Sequence, residues 1–349
     1  MTPNENLVEV LLLMNQIGGF RIAEQIYESV NSRIFRGTRI SDNIPVIIKK
    51  ISHDYPSPDE IKQFKQEYEV LSKLDFDGVV KAYGLERDGN SVVLILEDRG
   101  SESLRKLVSR TTFNLVEFLE IAIQCSYILG QIHAARIIHK DINPSNITFN
   151  VSDKKVQIID FGIATYLNKE NPSLQNPTSL EGTLPYISPE QTGRMNRSLD
   201  YRTDYYSLGV SFYEILSNQM PFHSEDPLEF IHSIITQEPK LVSEINTNIP
   251  IQLAAIINKL LSKNAEDRYQ SSVGLMKDLE ECLVQFKNIS KIETFPLGRY
   301  DISQEFYIPQ KLYGREKEVS WLLTHFEEYM ERYSGTSISI DRKIPTFLA

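Results

Sequence analysis

Cysteine is nearly absent: Cys125 and Cys282 are the two in 349 residues, with no metal-ligand spacing between them. That excludes a disulfide-stapled scaffold and a cysteine zinc site, and it leads to the expectation of a reducing, cytoplasmic setting. Basic residues are in deficit as well. The 37 Lys+Arg against 47 Asp+Glu leave a net charge of −10. A general nucleic-acid binder needs a basic face, so nucleic acid is not an expected partner. No uninterrupted apolar run approaches the roughly 18 residues that read as a membrane helix, and no membrane span is expected. The apolar stretch from Leu7 to Met14 has Glu5 and Glu9 where a signal peptide starts basic. Low-complexity tracts are missing too. With 41% hydrophobic and 24% charged residues, the composition is globular. The length suits two to three domains, or one large bilobal domain with an extension.

The pattern along the chain changes character near Leu104. Before it, Ser32 to Thr38 and Pro45 to Ile51 read as strands joined by a turn at Ser41–Asn43. Ile61, Phe64, Tyr68, Leu71 and Leu74 recur at helical spacing. Val79 to Leu85 and Ser91 to Leu96 read as strands around Asp88-Gly89-Asn90, a hairpin signal. After it, Phe113 to Ile132, Leu199 to Leu216, Pro227 to Thr236, Ile251 to Leu261 and Ser271 to Phe286 all carry helical periodicity. The expectation is an α+β chain with a small β-rich lobe and a larger helical one.

Chemistry-bearing residues fall in an ordered series of short motifs. Val46-Ile47-Ile48-Lys49 is a strand ending in lysine, and Glu67 follows on the predicted helix. Then come His139-Lys140-Asp141-Ile142-Asn143-Pro144-Ser145-Asn146, Asp160-Phe161-Gly162 and Gly182-Thr183-Leu184-Pro185-Tyr186-Ile187-Ser188-Pro189-Glu190. Asp204-Tyr205-Tyr206-Ser207-Leu208-Gly209 and Asp267-Arg268-Tyr269 close the series. Each alone has a bland reading: Glu67 as a solvated helix charge, Asn146 and Asp160 as turn residues. In this order and spacing the series resembles the eukaryotic-type Ser/Thr protein kinase family, over roughly residues 20–286.

The resemblance implies a bilobal fold, with an N-lobe at about 20–97 and a C-lobe at about 100–286. It implies ATP and Mg²⁺ as cofactors and a protein hydroxyl as acceptor. Lys49 would pair the α/β phosphates and Glu67 would hold the lysine. Asp141 would orient the substrate hydroxyl, with Thr183 beside it, and Asn146 and Asp160 would be the metal ligands. Tyr27, Ser29, Ser32, Ile34, Ile47, Leu96, Glu97, Arg99 and Thr148 would line the nucleotide site. His139 and Phe161 would be packing residues. Glu190 with Arg268 would anchor the activation segment, which ends at Glu190, to the helical lobe, and Asp204 would hold the catalytic-loop backbone.

Several positions depart from the family pattern. Tyr27, Ser29 and Ser32 stand where the glycine-rich loop has glycines, which normally let backbone N–H groups approach phosphate. Ile47 replaces a small residue and Thr148 an apolar one around adenine. Asn143 replaces a lysine that neutralises the migrating group. Lys140 replaces an arginine and lacks its bidentate fork. Thr178 and Ser179 are candidate phosphorylation sites.

The wording from His139 to Asn146, together with Ser188 to Arg197, resembles the kinase-like domain that opens large bacterial hybrid sensors. Those chains continue into an AAA-type ATPase, a GAF sensor and a histidine kinase. Leu312-Tyr313-Gly314-Arg315-Glu316 resembles the start of the AAA-type module, but no G-x-x-x-x-G-K-[ST] loop follows. The expected organisation is an arm at 1–19, a kinase-like domain at 20–286, a linker at 287–311 and a truncated module start at 312–349. Partners would be a protein substrate or downstream sensor and histidine-kinase modules. Three functions stay open: an active Ser/Thr kinase, a catalytically weak regulatory module, and small-molecule phosphotransfer.

Overall fold

A computed structural model describes residues 16–166, 181–195 and 197–302. The described residues all fall in one compact unit. The expected module at 312–349 and the candidate phosphosites Thr178 and Ser179 lie outside the described residues.

The N-lobe sheet holds six strands in the order β1-β2-β3-β4-β6-β5. These are β1 (Gln16–Ile17), β2 (Phe20–Glu28), β3 (Ser32–Arg39), β4 (Pro45–Ile51), β5 (Ala82–Asp88) and β6 (Ser91–Glu97). The sheet starts inside the expected arm, because Gly18 and Gly19 form a two-residue hairpin turn pairing Ile17 with Phe20. Gly18 takes φ +54°, the left-handed region this turn needs. Alternation sorts the side chains into two faces. Ile17, Phe20, Val46, Ile48, Val93 and Ile95 pack a core on one face. The other face carries two cross-strand rows, Ile34–Lys49–Leu94 and Arg36–Ile47–Leu96.

Helix α1 (Pro58–Leu71) interrupts the sheet between β4 and β5. It begins with a capping box: the Ser57 hydroxyl accepts the Glu60 N–H, and the Glu60 carboxylate accepts the Ser57 N–H. Phe64, Glu67, Val70 and Leu71 form its buried stripe, while Glu69 is exposed. The helical spacing thus turns a carboxylate inward.

The C-lobe is helical apart from short strands. Along the chain come β7 (Glu102–Ser103), α2 (Leu104–Val108), α3 (Leu115–Ala134), β8 (Ile137–Ile138), β9 (Ile147–Asn150), β10 (Lys155–Ile158) and β11 (Thr165–Tyr166). The helices α4 (Arg202–Ser217), α5 (Pro227–Thr236), α6 (Val242–Ile245), α7 (Ile251–Leu260) and α8 (Ser272–Ile289) follow. Asn114 and Glu117 form a second capping box that starts α3. By length and composition α3 is apolar enough to cross a membrane, which no uninterrupted run in the sequence had indicated. Here it packs along α8 at the centre of the lobe, with Phe118 set edge-on against Phe212 of α4 at 5.3 Å.

The stretch expected to start a linker at 287 is still the last turn of α8. Beyond it, residues 290–302 double back along the lobe. Ile292 is buried, and the Gln252 amide donates to the Phe295 carbonyl at 2.8 Å. The Gly298 N–H donates to Asp278 at 2.7 Å. The Asp301 carboxylate accepts from the Gln270 N–H, the Ser271 N–H and the Ser271 hydroxyl at the start of α8.

Candidate active site

Lys49, near the end of β4, points from the sheet toward α1. Its ammonium donates to both Glu67 carboxylate oxygens, at 3.0 and 2.8 Å, and to Asp160 Oδ1 at 2.8 Å. One cation therefore joins the sheet, α1 and the segment after β10. Burial opposes a charged lysine, yet the two carboxylates hold its pKa above the ordinary value. Burial pushes the Glu67 carboxyl up to about 7 against the pull of Lys49. Burial also acts upward on Asp160, but Lys49 and the Gly162 N–H outweigh it and hold the carboxyl below its usual range. Asp160 sits at φ 65°, a left-handed conformation costly for a non-glycine residue.

Asp141 lies in the loop between β8 and β9. Its Oδ1 accepts the Thr183 N–H at 2.9 Å, and its Oδ2 accepts the Asn146 amide at 2.8 Å. Burial pushes this carboxyl up, and the Thr183 contacts pull back. Asn146 Nδ2 also donates to the Asp141 carbonyl at 2.9 Å, so its amide orientation is fixed and Oδ1 is left to accept. Among the described residues no three His, Cys, Asp or Glu side chains gather as a metal cluster. The Asn146 amide oxygen and the Asp160 carboxylate are hard oxygen donors of the kind Mg²⁺ takes, usually with several waters and phosphate oxygens. The donor set fits that ion.

Asn143 is buried and spent within the loop. Its Nδ2 donates to the Asp141 carbonyl at 3.1 Å and to Thr183 Oγ1 at 3.4 Å, and its Oδ1 accepts the Ser145 N–H at 2.9 Å. His139 uses both ring nitrogens. Nδ1 accepts the Asp141 N–H at 3.2 Å, Nε2 reaches the Ile159 carbonyl at 3.1 Å, and the ring packs on Phe161 at 4.7 Å. Lys140 contacts Glu181.

Asp204, fully buried on α4, accepts the His139 and Lys140 N–H groups at 2.9 and 2.8 Å. The Glu190–Arg268 pair is bidentate at 2.6 and 2.8 Å and is buried. Sequence reasoning had not pointed to His133, which shares the Asp204 carboxylate at 2.8 Å, or to Gln66, which donates to the Ala164 carbonyl at 2.7 Å. It also missed the Arg105–Tyr186–Glu214 cluster. These partners lie 28 to 109 residues apart in the chain, so no local pattern signals them.

The nucleotide-side residues take four settings. Ile34, Ile47 and Leu96 share the sheet face that carries Lys49. Tyr27 pairs with Ile34 beside the turn of the β2–β3 hairpin and is 55% exposed. Ser29 and Ser32 close that hairpin themselves: the Ser29 N–H donates to the Ser32 carbonyl at 2.8 Å, and the Ser32 N–H donates to the Ser29 hydroxyl at 3.0 Å. Glu97 ends β6 and pairs with Arg99 at 2.8 Å. Thr148, on β9, satisfies its hydroxyl on the Gln157 carbonyl at 3.3 Å.

The family model of the protein kinase domain matches residues 20–279. The chain belongs to the protein kinase family. The chain is 33% identical over 294 residues to hybrid signal transduction histidine kinase G of Dictyostelium discoideum, covering 59% of this chain and 8% of that protein. A probable serine/threonine-protein kinase of Clostridium acetobutylicum is 27% identical over 273 residues, covering 77% of this chain and 40% of that protein. Serine/threonine-protein kinase pkn3 of Myxococcus xanthus is 28% identical over 272 residues, 75% of this chain and 49% of that protein. The chain thus spans less than half the length of these relatives.

Proposed function

We propose that this kinase domain is a Mg-ATP-dependent protein Ser/Thr kinase that acts in a signalling chain. The contact that carries the reading is the Lys49 ammonium held by Glu67 and Asp160 together. A lysine fixed on two carboxylates is already placed for the α/β phosphates of ATP, and its stem entropy is lost before the nucleotide arrives. Asn146 and Asp160 would hold Mg²⁺, which supplies charge neutralisation on the phosphates. Asp141 receives the proton of the attacking serine or threonine hydroxyl as the new O–P bond forms and ADP leaves. Its upward-shifted pKa suits a proton acceptor, and Thr183 keeps the carboxylate aimed. Asn143 acts by bracing the loop.

A second reading, a kinase-like regulatory module with little turnover, draws on the β2–β3 hairpin. Its tip is tied by its own serine hydrogen bonds and carries Tyr27 where a glycine would admit phosphate.

The test is incorporation of labelled γ-phosphate from Mg-ATP into the chain itself and into a generic protein substrate. Asp141→Asn should abolish transfer while nucleotide binding survives. Asp160→Asn should weaken Mg-dependent binding as well. Metal-independent binding, with no incorporation above the Asp141→Asn background, would move the assignment to the regulatory module.

A further inference from the structure

We propose that Arg36 is a positioning residue of the nucleotide site, acting through Asp98 to fix the hinge that joins the two lobes. This rests on the Mg-ATP reading above. Arg36 stands in the cross-strand row Arg36–Ile47–Leu96, on the same sheet face as Lys49. Its neighbours in that row, Ile47 and Leu96, are apolar, and the guanidinium is turned away from them to the connection after β6. Its Nε donates to Asp98 Oδ2 at 2.7 Å, and its Nη1 donates to Glu24 on β2 at 3.1 Å.

Asp98 is the centre of the arrangement. Its side chain is only 7% exposed. Its other oxygen, Oδ1, accepts the Gly100 N–H at 2.8 Å. The next peptide is held from below: Asn150 Nδ2, at the end of β9, donates to the Arg99 carbonyl at 2.6 Å. Residues Glu97 to Gly100 are thus gripped by a β3 side chain of the N-lobe and a β9 side chain of the C-lobe. This is the stretch whose backbone borders Leu96 and Ile47 at the proposed base pocket. Releasing Arg36 frees the upper grip only, so the connection gains freedom next to the base without any change at Lys49, Asp141 or Asp160.

The consequence is specific to the base end of the ligand. Arg36→Ala and Asp98→Asn should weaken ATP and adenosine by the same factor, about tenfold, the loss of one charge-assisted hydrogen bond. Arg36→Lys should recover part of it. KM for ATP should rise with kcat retained. Lys49→Ala is the contrast, losing ATP affinity and sparing adenosine. The measurement is equilibrium binding of adenosine and of Mg-ATP to the full chain, well below each variant's melting midpoint, with steady-state transfer alongside. Wild-type binding that Arg36→Ala leaves unchanged overturns the positioning role alone. A fall in ATP affinity with adenosine unaffected also overturns it, since the clasp would then serve the phosphates. Absence of nucleotide binding by the wild type overturns the positioning role and the Mg-ATP reading together.

Discussion

Replacing Glu190 by alanine strips the counter-charge from a wholly enclosed cation. Arg268 is fully buried, and its five N–H groups are all used. Two go to the Glu190 carboxylate and three to the carbonyls of Ser262, Arg202 and Lys263. The alanine variant leaves a buried guanidinium without its counter-charge and opens a cavity the size of a carboxymethyl group. Breaking such a pair by removing one partner costs about 3–5 kcal/mol. For a domain of this size that lowers the melting midpoint by on the order of 10 °C. Glu190→Gln keeps the volume but not the charge and should fall between wild type and alanine. A double replacement, Glu190→Leu with Arg268→Met, removes both charges. In many proteins that exchange is close to neutral. Here it takes a buried donor from three carbonyls; that of Arg202 keeps its bond within α4, but those of Ser262 and Lys263 lose the guanidinium, each worth about 1–3 kcal/mol when buried unpaired, so the double variant should stay destabilised. Glu190 also anchors the segment carrying Thr183, and Asp141 should lose its Thr183 contact when that segment loosens. The assay is denaturant unfolding of the four proteins, with a check that the transitions are two-state. A cost below about 1 kcal/mol for Glu190→Ala, or wild-type stability in the double variant, would refute the reasoning.

Two further outcomes follow from contacts on the C-lobe. Asp301→Ala removes the acceptor for two backbone N–H groups and the Ser271 hydroxyl, and should cost about 2 kcal/mol in thermal unfolding; truncation after Phe286, which also deletes the end of α8 and buried Ile292, should cost more, whereas a truncated chain with wild-type stability would show that 290–302 is dispensable. Burial acts upward on Asp200, but the Arg202 and Arg197 guanidinia hold its pKa below the ordinary value. Its contribution to stability is therefore fully present above the unfolded value, about 3.9, and is lost as pH falls through the lower folded value. Asp200→Asn should accordingly be most destabilising near neutral pH and converge on wild type in acid; a cost independent of pH would contradict the ion-pair account.

Motif order and periodicity were enough for the two-lobe architecture, because each element announces itself over a few residues. The inward Glu67 follows from helical spacing to Phe64 and Leu71, and the inward Lys49 from strand alternation against Lys50. The order of the motifs likewise identified Glu190 with Arg268 and Asp204 with the loop, through the family resemblance and not through spacing. Folding alone decided what depends on chain segments far apart in sequence meeting in space. Arg36 looks like any exposed strand arginine until Asp98, 62 residues away, is beside it. Asn143 lost a positive charge by comparison with the family, but only the loop geometry shows that its amide is consumed in bracing Asp141. The domain's end was set the same way. The stretch after Phe286 has no periodicity to read, and it is held by Asp278, Gln252 and the start of α8. Local sequence specifies which hydrogen-bonding and apolar groups a segment offers; which partners satisfy them is fixed only when burial removes water as the alternative.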